Sequence, residues 1–473
     1  MRIFAVCGLF AVAALAHDAP QGDGACGFDK VDLTTGPGFT ITVNEDYKVL
    51  EDTAARIKYG LYCNSQPSGI SGIDKWFKVP VASVGVRVPI ASGFLEALGR
   101  RDKLTAAEVP GNLTNICLDA SKLRTLSAGG SSGNDTGVDV VFSGNAASDG
   151  NVSVRLPSDD ALTPLQRAEW IKFVAAFFND EKRAAALFDS IASAYNCHWN
   201  NLQHLKDPPH TYWVEYSAGA DGKASYNIID SAYQKDLLAG AGATNNTRAA
   251  LSDPSDLKKF QEAIRDADFV IDQTALGQQG RRINEWYRDF GYADPQNSGV
   301  GFLRTRNIWR TDGYTSKSGV DNFPEFGYVR PDLVLLDIIG VLEPTYASNN
   351  TRRWMLWLGG TNEDTTVIAA DNYDCSSPWI SSVAKCTART DFTGGDSGAG
   401  GSSAGNKDDH GSTSSGRAGK IAGGIIGALA AVALIVVGAH YYNRHRRLAR
   451  VRALSQTGYG AEGIGLRNAQ RFS

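Results

Sequence analysis

The sequence contains no CxxC pair, and its ectodomain shows no HExxH, no nucleophile elbow set between a strand and a helix, and no phosphate-binding glycine loop. The missing CxxC argues against a zinc finger or ribbon. The other absences remove the residues that metalloproteases, serine hydrolases and P-loop nucleotide enzymes work with. "GGDSGAG", with Asp396-Ser397-Gly398, looks like a serine-protease nucleophile, yet it lies in a glycine- and serine-rich stretch with no scaffold to orient a base. Asp159 and Asp160 pair two carboxylates in a polar loop, which a solvated turn explains. The chain therefore reads as a non-enzyme without an intrinsic cofactor. No internal repeat is visible.

Histidine is scarce as well, with seven residues in 473. Only His198, His204 and His210 fall where a core can form, and they cluster at and just after one helix end. Zinc or manganese wants several His, Asp or Glu ligands converging from different loops. These three read as packing or surface histidines. Bare metal-ion binding stays as an alternative through carboxylates and tyrosines.

What is present begins with the ends. Residues 1–16, "MRIFAVCGLFAVAALA", set one Arg before a short apolar run and the small-x-small Ala14-Leu15-Ala16, the pattern of a secretory signal peptide. The stretch "IAGGIIGALAAVALIVVGAHYY", 421–442, is uncharged up to His440 and matches the roughly 20 residues of a bilayer-crossing helix. Arg444, Arg446, Arg447, Arg450 and Arg452 follow it, and positive residues stay cytoplasmic. The expectation is a single-pass type I protein of the plasma membrane or another secretory-pathway membrane, with its ectodomain outside and a short cytoplasmic tail. Gly423 and Gly427 form a small-xxx-small pair that lets two spans pack closely. The tail has seven Arg against one Glu, about +6, so with −4 overall the rest carries about −10. Such an acidic ectodomain argues against nucleic acid as a partner.

Once Cys7 leaves with the signal peptide, Cys26, Cys63, Cys117, Cys197, Cys375 and Cys386 remain. An even number in an exported chain points to three disulfides. Only Cys375 with Cys386, neighbours in sequence, is assigned. Sequons stand at Asn112, Asn134, Asn151, Asn245 and Asn349 and mark glycosylated surface.

The organisation follows from periodicity. Residues 17–162 form an N-terminal α/β lobe: "FTITV" alternates as a strand, 79–86 and 138–144 are apolar runs of buried strands, and "PIASGFLEALG" is a helix ending at Gly99. Residues 163–207 form a helix pair. Thr163, Pro164 and Gln166 make an N-cap, a first-turn proline and a capping box. Asn179-Asp180 breaks and recaps the chain. Ala184, Leu187, Phe188, Ile191, Ala192 and Tyr195 then recur at helical spacing, and Trp199 and Leu202 continue the stripe. This predicts a helix of about 25 residues, roughly 38 Å long. Residues 208–391 form a second α/β lobe, opened by "TYWVEYS" and containing helices over "IIDSAYQKDLLAGAGA", "PSDLKKFQEAIRDAD" and "INEWYRDFG". A Gly/Ser-rich stalk (392–419), the transmembrane helix (420–442) and a basic tail (443–473) complete the chain.

"PLQRAEWIKFVAAFFNDEKRAAALFDSI" and "RPDLVLLDIIGVLEP" resemble segments of the class III periplasmic substrate-binding proteins, the helical-backbone metal receptors; "VASVGVRVPIASGFLEALG" is similar to that family's first strand and helix. The resemblance spans about Val31 to Leu358. It implies two α/β lobes joined by one rigid backbone helix, with a ligand in the cleft between them. It implies in the closing motif an apolar strand-to-helix run, where family members often carry His and this chain has Glu343. The cargo it implies is a ferric siderophore, haem or cobalamin, captured for uptake through a transporter or endocytic partner. A sensing or adhesion ectodomain that kept the fold without cargo is the alternative.

A bulky anionic chelate wants cationic and aromatic contacts. Arg87 follows the first strand, where the resemblance places ligand contacts. On the other lobe Tyr216, Trp286, Tyr287, Arg304, Arg306, Trp309 and Arg310 supply the right chemistry. Asp332 and Asp337 read as structural, serving capping and turns.

Overall fold

A computed structural model describes residues 27–127, 137–145, 150–157, 161–219, 222–244, 251, 253–274, 282–346, 350–360, 364–369, 373–378, 384–390 and 392. The expected signal peptide, span, tail and nearly all of the expected stalk, with Asp159, Asp160, Asn134, Asn245 and Asn349, lie outside the described residues. No described helix is long and apolar enough to cross a membrane.

The protein is a mixed α/β fold, with four sheets among the described residues. The first pairs β1 (Phe39–Val43), β2 (Tyr47–Asp52), β3 (Ile57–Tyr62) and β4 (Lys75–Lys78) in that order. Only β1 of these is expected from the sequence. The inward positions of β2 are Lys48, Leu50 and Asp52, so the alternation is masked by two charges. Both are paired: Lys48 with Glu181, and Asp52 with Arg155 at 2.6 Å. Burial without partners would make such charges strongly destabilising.

The second sheet is all parallel. It contains β5 (Val84–Val86), β6 (Leu104–Ala107), β7 (Arg124–Thr125), β8 (Val140–Ser143) and β9 (Ser153–Arg155), in the order β7-β6-β5-β8-β9. The strand expected over 79–86 is confined to β5, because Val79 and Val81 donate to Tyr62 and Phe177 instead of joining the ladder. Helix α1 (Pro89–Ala97) follows β5, and Gly99 past its end takes φ +65° as a left-handed stop.

Helix α2 (Pro164–Ala175) carries the expected capping box between Thr163 and Gln166. A short 3₁₀ turn and left-handed Asn179 (φ 56°) lead into α3 (Glu181–Asn201). At 21 residues, about 32 Å, α3 is shorter than expected, because the chain turns at Leu202. The expected side-chain recap by Asp180 is absent: its carboxylate takes Arg100 at 2.5 and 2.7 Å. Ala184 and Phe188 of α3 belong to the core around α1, α2 and the first two sheets. Ala194 and Tyr195 belong to a separate core with Leu237, Val334 and Ile338. One apolar stripe thus serves two cores.

The third sheet orders β11-β10-β12-β13-β15 from β10 (Thr211–Ala218), β11 (Ala224–Ile228), β12 (Phe269–Asp272), β13 (Ile308–Arg310) and β15 (Leu356–Trp357), while β14 (Tyr314–Thr315) pairs with β16 (Thr366–Val367). Around it lie α4 (Ala232–Gly240), α5 (Leu257–Ala263), α6 (Ile283–Asp289), α7 (Gly301–Thr305) and α8 (Pro331–Leu342). The helix expected from Ile228 starts at Ala232, since Ile228 closes the β10–β11 hairpin against Val214. The closing motif holds no strand: all twelve residues of α8 are helical and buried. A run apolar on every side carries no period that separates strand from helix.

The Cys375–Cys386 pairing is corrected. Cys375 bonds Cys117 and Cys386 bonds Cys197. Nearness in sequence misleads because the C-terminal segment is laid out across the protein. Arg101 Nη2 donates to Cys375 O at 2.6 Å, the Ala384 amide to Asp332 at 3.0 Å, and the Arg389 amide to Asn201 at 2.7 Å. Cys63 is disulfide-bonded too.

Candidate ligand-binding cleft

In open parallel α/β sheets, ligands sit beyond the carboxyl ends of the strands, where the strand order reverses. In the second sheet that point falls between β5 and β8. Arg87 stands there, its amide bonded to Phe142 O of β8 at 2.8 Å. Its guanidinium donates to Ser127 O at 2.8 Å and meets Glu108 at 3.2 Å, and its side chain is 5% exposed. Helix α1 starts directly behind it, with no acidic residue in its first turn. The position is the one the sequence implies, and the charge is already engaged.

In the third sheet the carboxyl ends of β10, β12 and β13 present Tyr216, Asp272 to Thr274, and Arg310. The Tyr216 amide donates to Thr274 Oγ1 at 2.8 Å, and Asp272 accepts from Thr274 N and Oγ1 at 2.9 and 2.5 Å. Gln273 accepts from Gln234 at 3.0 Å. Arg310 is buried against Asp312.

The two carboxyl edges send their outgoing segments to one junction. The segment leaving β6 supplies Thr114, and the segment that leaves β13 through β14 supplies Asn322 and Glu325. Thr114 Oγ1 donates to Glu325 at 2.7 Å and accepts from Asn322 at 2.8 Å. Arg167 of α2 lies over Tyr328 and Tyr233 at 4.1 and 5.2 Å, so the helix that follows β9 joins the same boundary.

The remaining candidates do not converge. Trp286 and Tyr287 are core residues of α6; Trp286 stacks on Phe290 at 4.2 Å. Trp309 is buried and stacks on Trp357 at 5.9 Å. Arg304 and Arg306 are exposed, but they flank the end of α7, at the amino end of β13 and away from the carboxyl edge. Aromatic and cationic type alone does not distinguish core or far-edge residues from cleft residues. Gln234, Gln273, Thr274 and Thr114 escape a sequence reading tuned to charge and rings; a position just after a strand finds Gln273 and Thr274, whereas Gln234 lies in α4 and Thr114 in the loop after β6.

Of the three histidines, His198 is a packing residue, His204 is exposed and His210 lies half-exposed beside Asp266. His198 is buried with Nδ1 at 2.9 Å from the Tyr346 hydroxyl, and burial pushes its pKa down to about 4. No group of three or more His, Cys, Asp and Glu residues fit to hold a metal occurs among the described residues. Asp332 and Asp337 are structural as expected: Asp332 takes Arg330 at 2.7 Å, and Asp337 accepts the amides of Arg353 and Trp354. A 460 Å³ cavity is lined by Asp189, Ser193, Cys197 and Cys386; it belongs to α3 and the C-terminal segment, not to the strand ends.

No family model matches the chain. No curated protein matches it either. Solved structures similar to it are periplasmic binding proteins. A petrobactin-binding protein from Bacillus subtilis shares 12% identity over 63% of this chain and 99% of its own, with TM-score 0.44. An ABC-type Fe3+-hydroxamate transport system protein from Saccharomonospora viridis shares 15% over 57% and 96%, with TM-score 0.41. A periplasmic heme-binding protein from Roseiflexus shares 13% over 55% and 97%, with TM-score 0.38.

Proposed function

We propose that the protein is a non-enzymatic solute-binding receptor of the periplasmic-binding type, with two α/β lobes joined by α3 and a small metal chelate held between them. The carrying observation is the junction itself: segments leaving the carboxyl ends of both major sheets meet at Thr114, Asn322 and Glu325. That is where an open α/β sheet offers a ligand its loops. Arg87 and Tyr216, with Gln234 and Thr274, are the residues of this reading that touch the cargo. A ferric siderophore, haem or cobalamin suits a cleft that presents Arg87 and Arg310 and few histidines. The setting of the proposal is a cell surface, with the lobes outside a single span and a transporter or endocytic partner completing uptake.

Trp fluorescence titration of residues 17–419 with ferric siderophores, haem, cobalamin and free metal ions tests the reading. The soluble piece runs past 391 because Phe392 is buried against Tyr346 at 5.1 Å. Saturable quenching by one chelate supports it; no binding at high micromolar concentration defeats it. One observation favours a sensing or adhesion ectodomain instead: Arg87 is already paired inside the protein.

A further inference from the structure

The contact between the lobes is built over a carboxyl group. Glu325 lies in a single π-helical turn, Phe323–Gly327, and is 1% exposed. Gly93 of α1 presses against that turn so closely that a Cβ there would overlap the Glu325 carbonyl oxygen. Oε2 accepts from the Thr114 amide at 2.5 Å and from its hydroxyl at 2.7 Å. Oε1 is buried, and Ser92 Oγ, itself buried, is the side-chain donor beside it.

The charges around Glu325 are countable. Glu96 lies one turn along α1; its oxygens take Arg101 at 3.0 Å each and Asn115 at 3.0 Å. Within the same C-terminal stretch, Arg330 is held by Asp332, and Asp321 feels Arg310. Burial raises the Glu325 pKa, and the Glu96 charge adds to it; donors from Ser92 and Thr114 oppose them, and the result is about 7.

The two protonation states differ in charge and not in partner: Ser92 Oγ can donate to an ionised Oε1 and accept from a protonated one. The ionised form leaves a buried carboxylate facing a second carboxylate, which is costly. We propose that Glu325 is a proton-controlled latch between the two lobes, closed while its carboxyl carries a proton and loosened when it ionises. The latch operates with or without cargo.

The direction follows from linkage. In the opened state the carboxyl returns toward its ordinary 4.5, and in the closed state it titrates near 7. The latch is tightest below the first value, and opening grows about tenfold per pH unit until the second, beyond which it is flat.

Hydrogen exchange of the Thr114 amide in the full chain reads this directly, once intrinsic rates are corrected. Between about pH 5 and 7.5, opening should rise roughly fiftyfold. Glu325→Gln, which keeps an acceptor and cannot ionise, should flatten the profile. If Glu325→Gln keeps the wild-type profile, or the wild type is itself flat, the latch is wrong. Thr114→Val provides a second test should the first variant not fold. It keeps the amide and removes one donor to the ionised form, so the upper limit of the profile must move to higher pH; an unmoved limit also overturns the proposal.

Discussion

Cys117 is disulfide-bonded to Cys375, 258 residues away, while Cys197 in α3 bonds Cys386. The C-terminal segment is therefore fastened at one end to the loop after β6 and at the other to the helix shared by both cores. Cys375→Ser should lower stability by about 2–4 kcal/mol, read by denaturant unfolding. Non-reduced peptide mapping should recover 117 linked to 375 and 197 linked to 386; a 375–386 peptide would contradict this pairing.

Gly93→Ala should destabilise the lobe contact by about 1–3 kcal/mol, as overpacking does, because the added methyl meets backbone that cannot rotate away. Thermal unfolding checks this. Gly111→Ala, where nothing lies within 4 Å of the new Cβ, is the control and should stay within about 0.5 kcal/mol of wild type.

Arg87→Ala should weaken an anionic ferric chelate by about tenfold or more, the loss of one charge-assisted contact. Arg306→Ala should leave affinity unchanged, because Arg306 sits at the amino end of β13. Fluorescence titration of both variants decides: equal losses would move the site away from the carboxyl edges.

The sequence was legible where one physical signal dominated. The capping box at Thr163, the stripe of α3 and the buried β8 were all readable, because propensity, cap chemistry and period agree there. It was illegible where burial mixed with charge. Strand β2 hides behind Lys48 and Asp52, whose partners Glu181 and Arg155 lie over a hundred residues on. The disulfides fail for the same reason: pairing is set by how the C-terminal segment crosses the protein, a fact of tertiary layout. In the candidate cleft, Arg87 lies directly after β5 at the strand-order reversal, a position its place in the sequence already shows. Trp286, Tyr287 and Trp309 were chosen by residue type, and the core claims them.

His198 adds a falling acid limb to stability, which Glu325, Asp321 and Asp337, all raised by burial, oppose. Burial holds its pKa near 4, against an ordinary 6.5. The unfolded chain takes the proton first, so stability falls as pH drops from about 6.5 to about 4, by at most about 3 kcal/mol. Asp337, raised by burial to about 6, works oppositely and gains stability as pH falls through that value. His198→Gln should remove this contribution, so its stability relative to wild type rises as pH falls from about 6.5 to about 4 in denaturant unfolding; a difference from wild type that does not change over that range would overturn the assignment.

Helix α3 has a consequence for how the molecule comes apart. Its first half completes one core and its second half the other, so neither lobe owns a whole set of apolar contacts. Cutting the gene before Glu181 or after Asn201 leaves one product missing a wall and the other carrying a sticky stripe. The two cores should thus fold as a single unit, and a piece that carries only one of them should be unstable on its own.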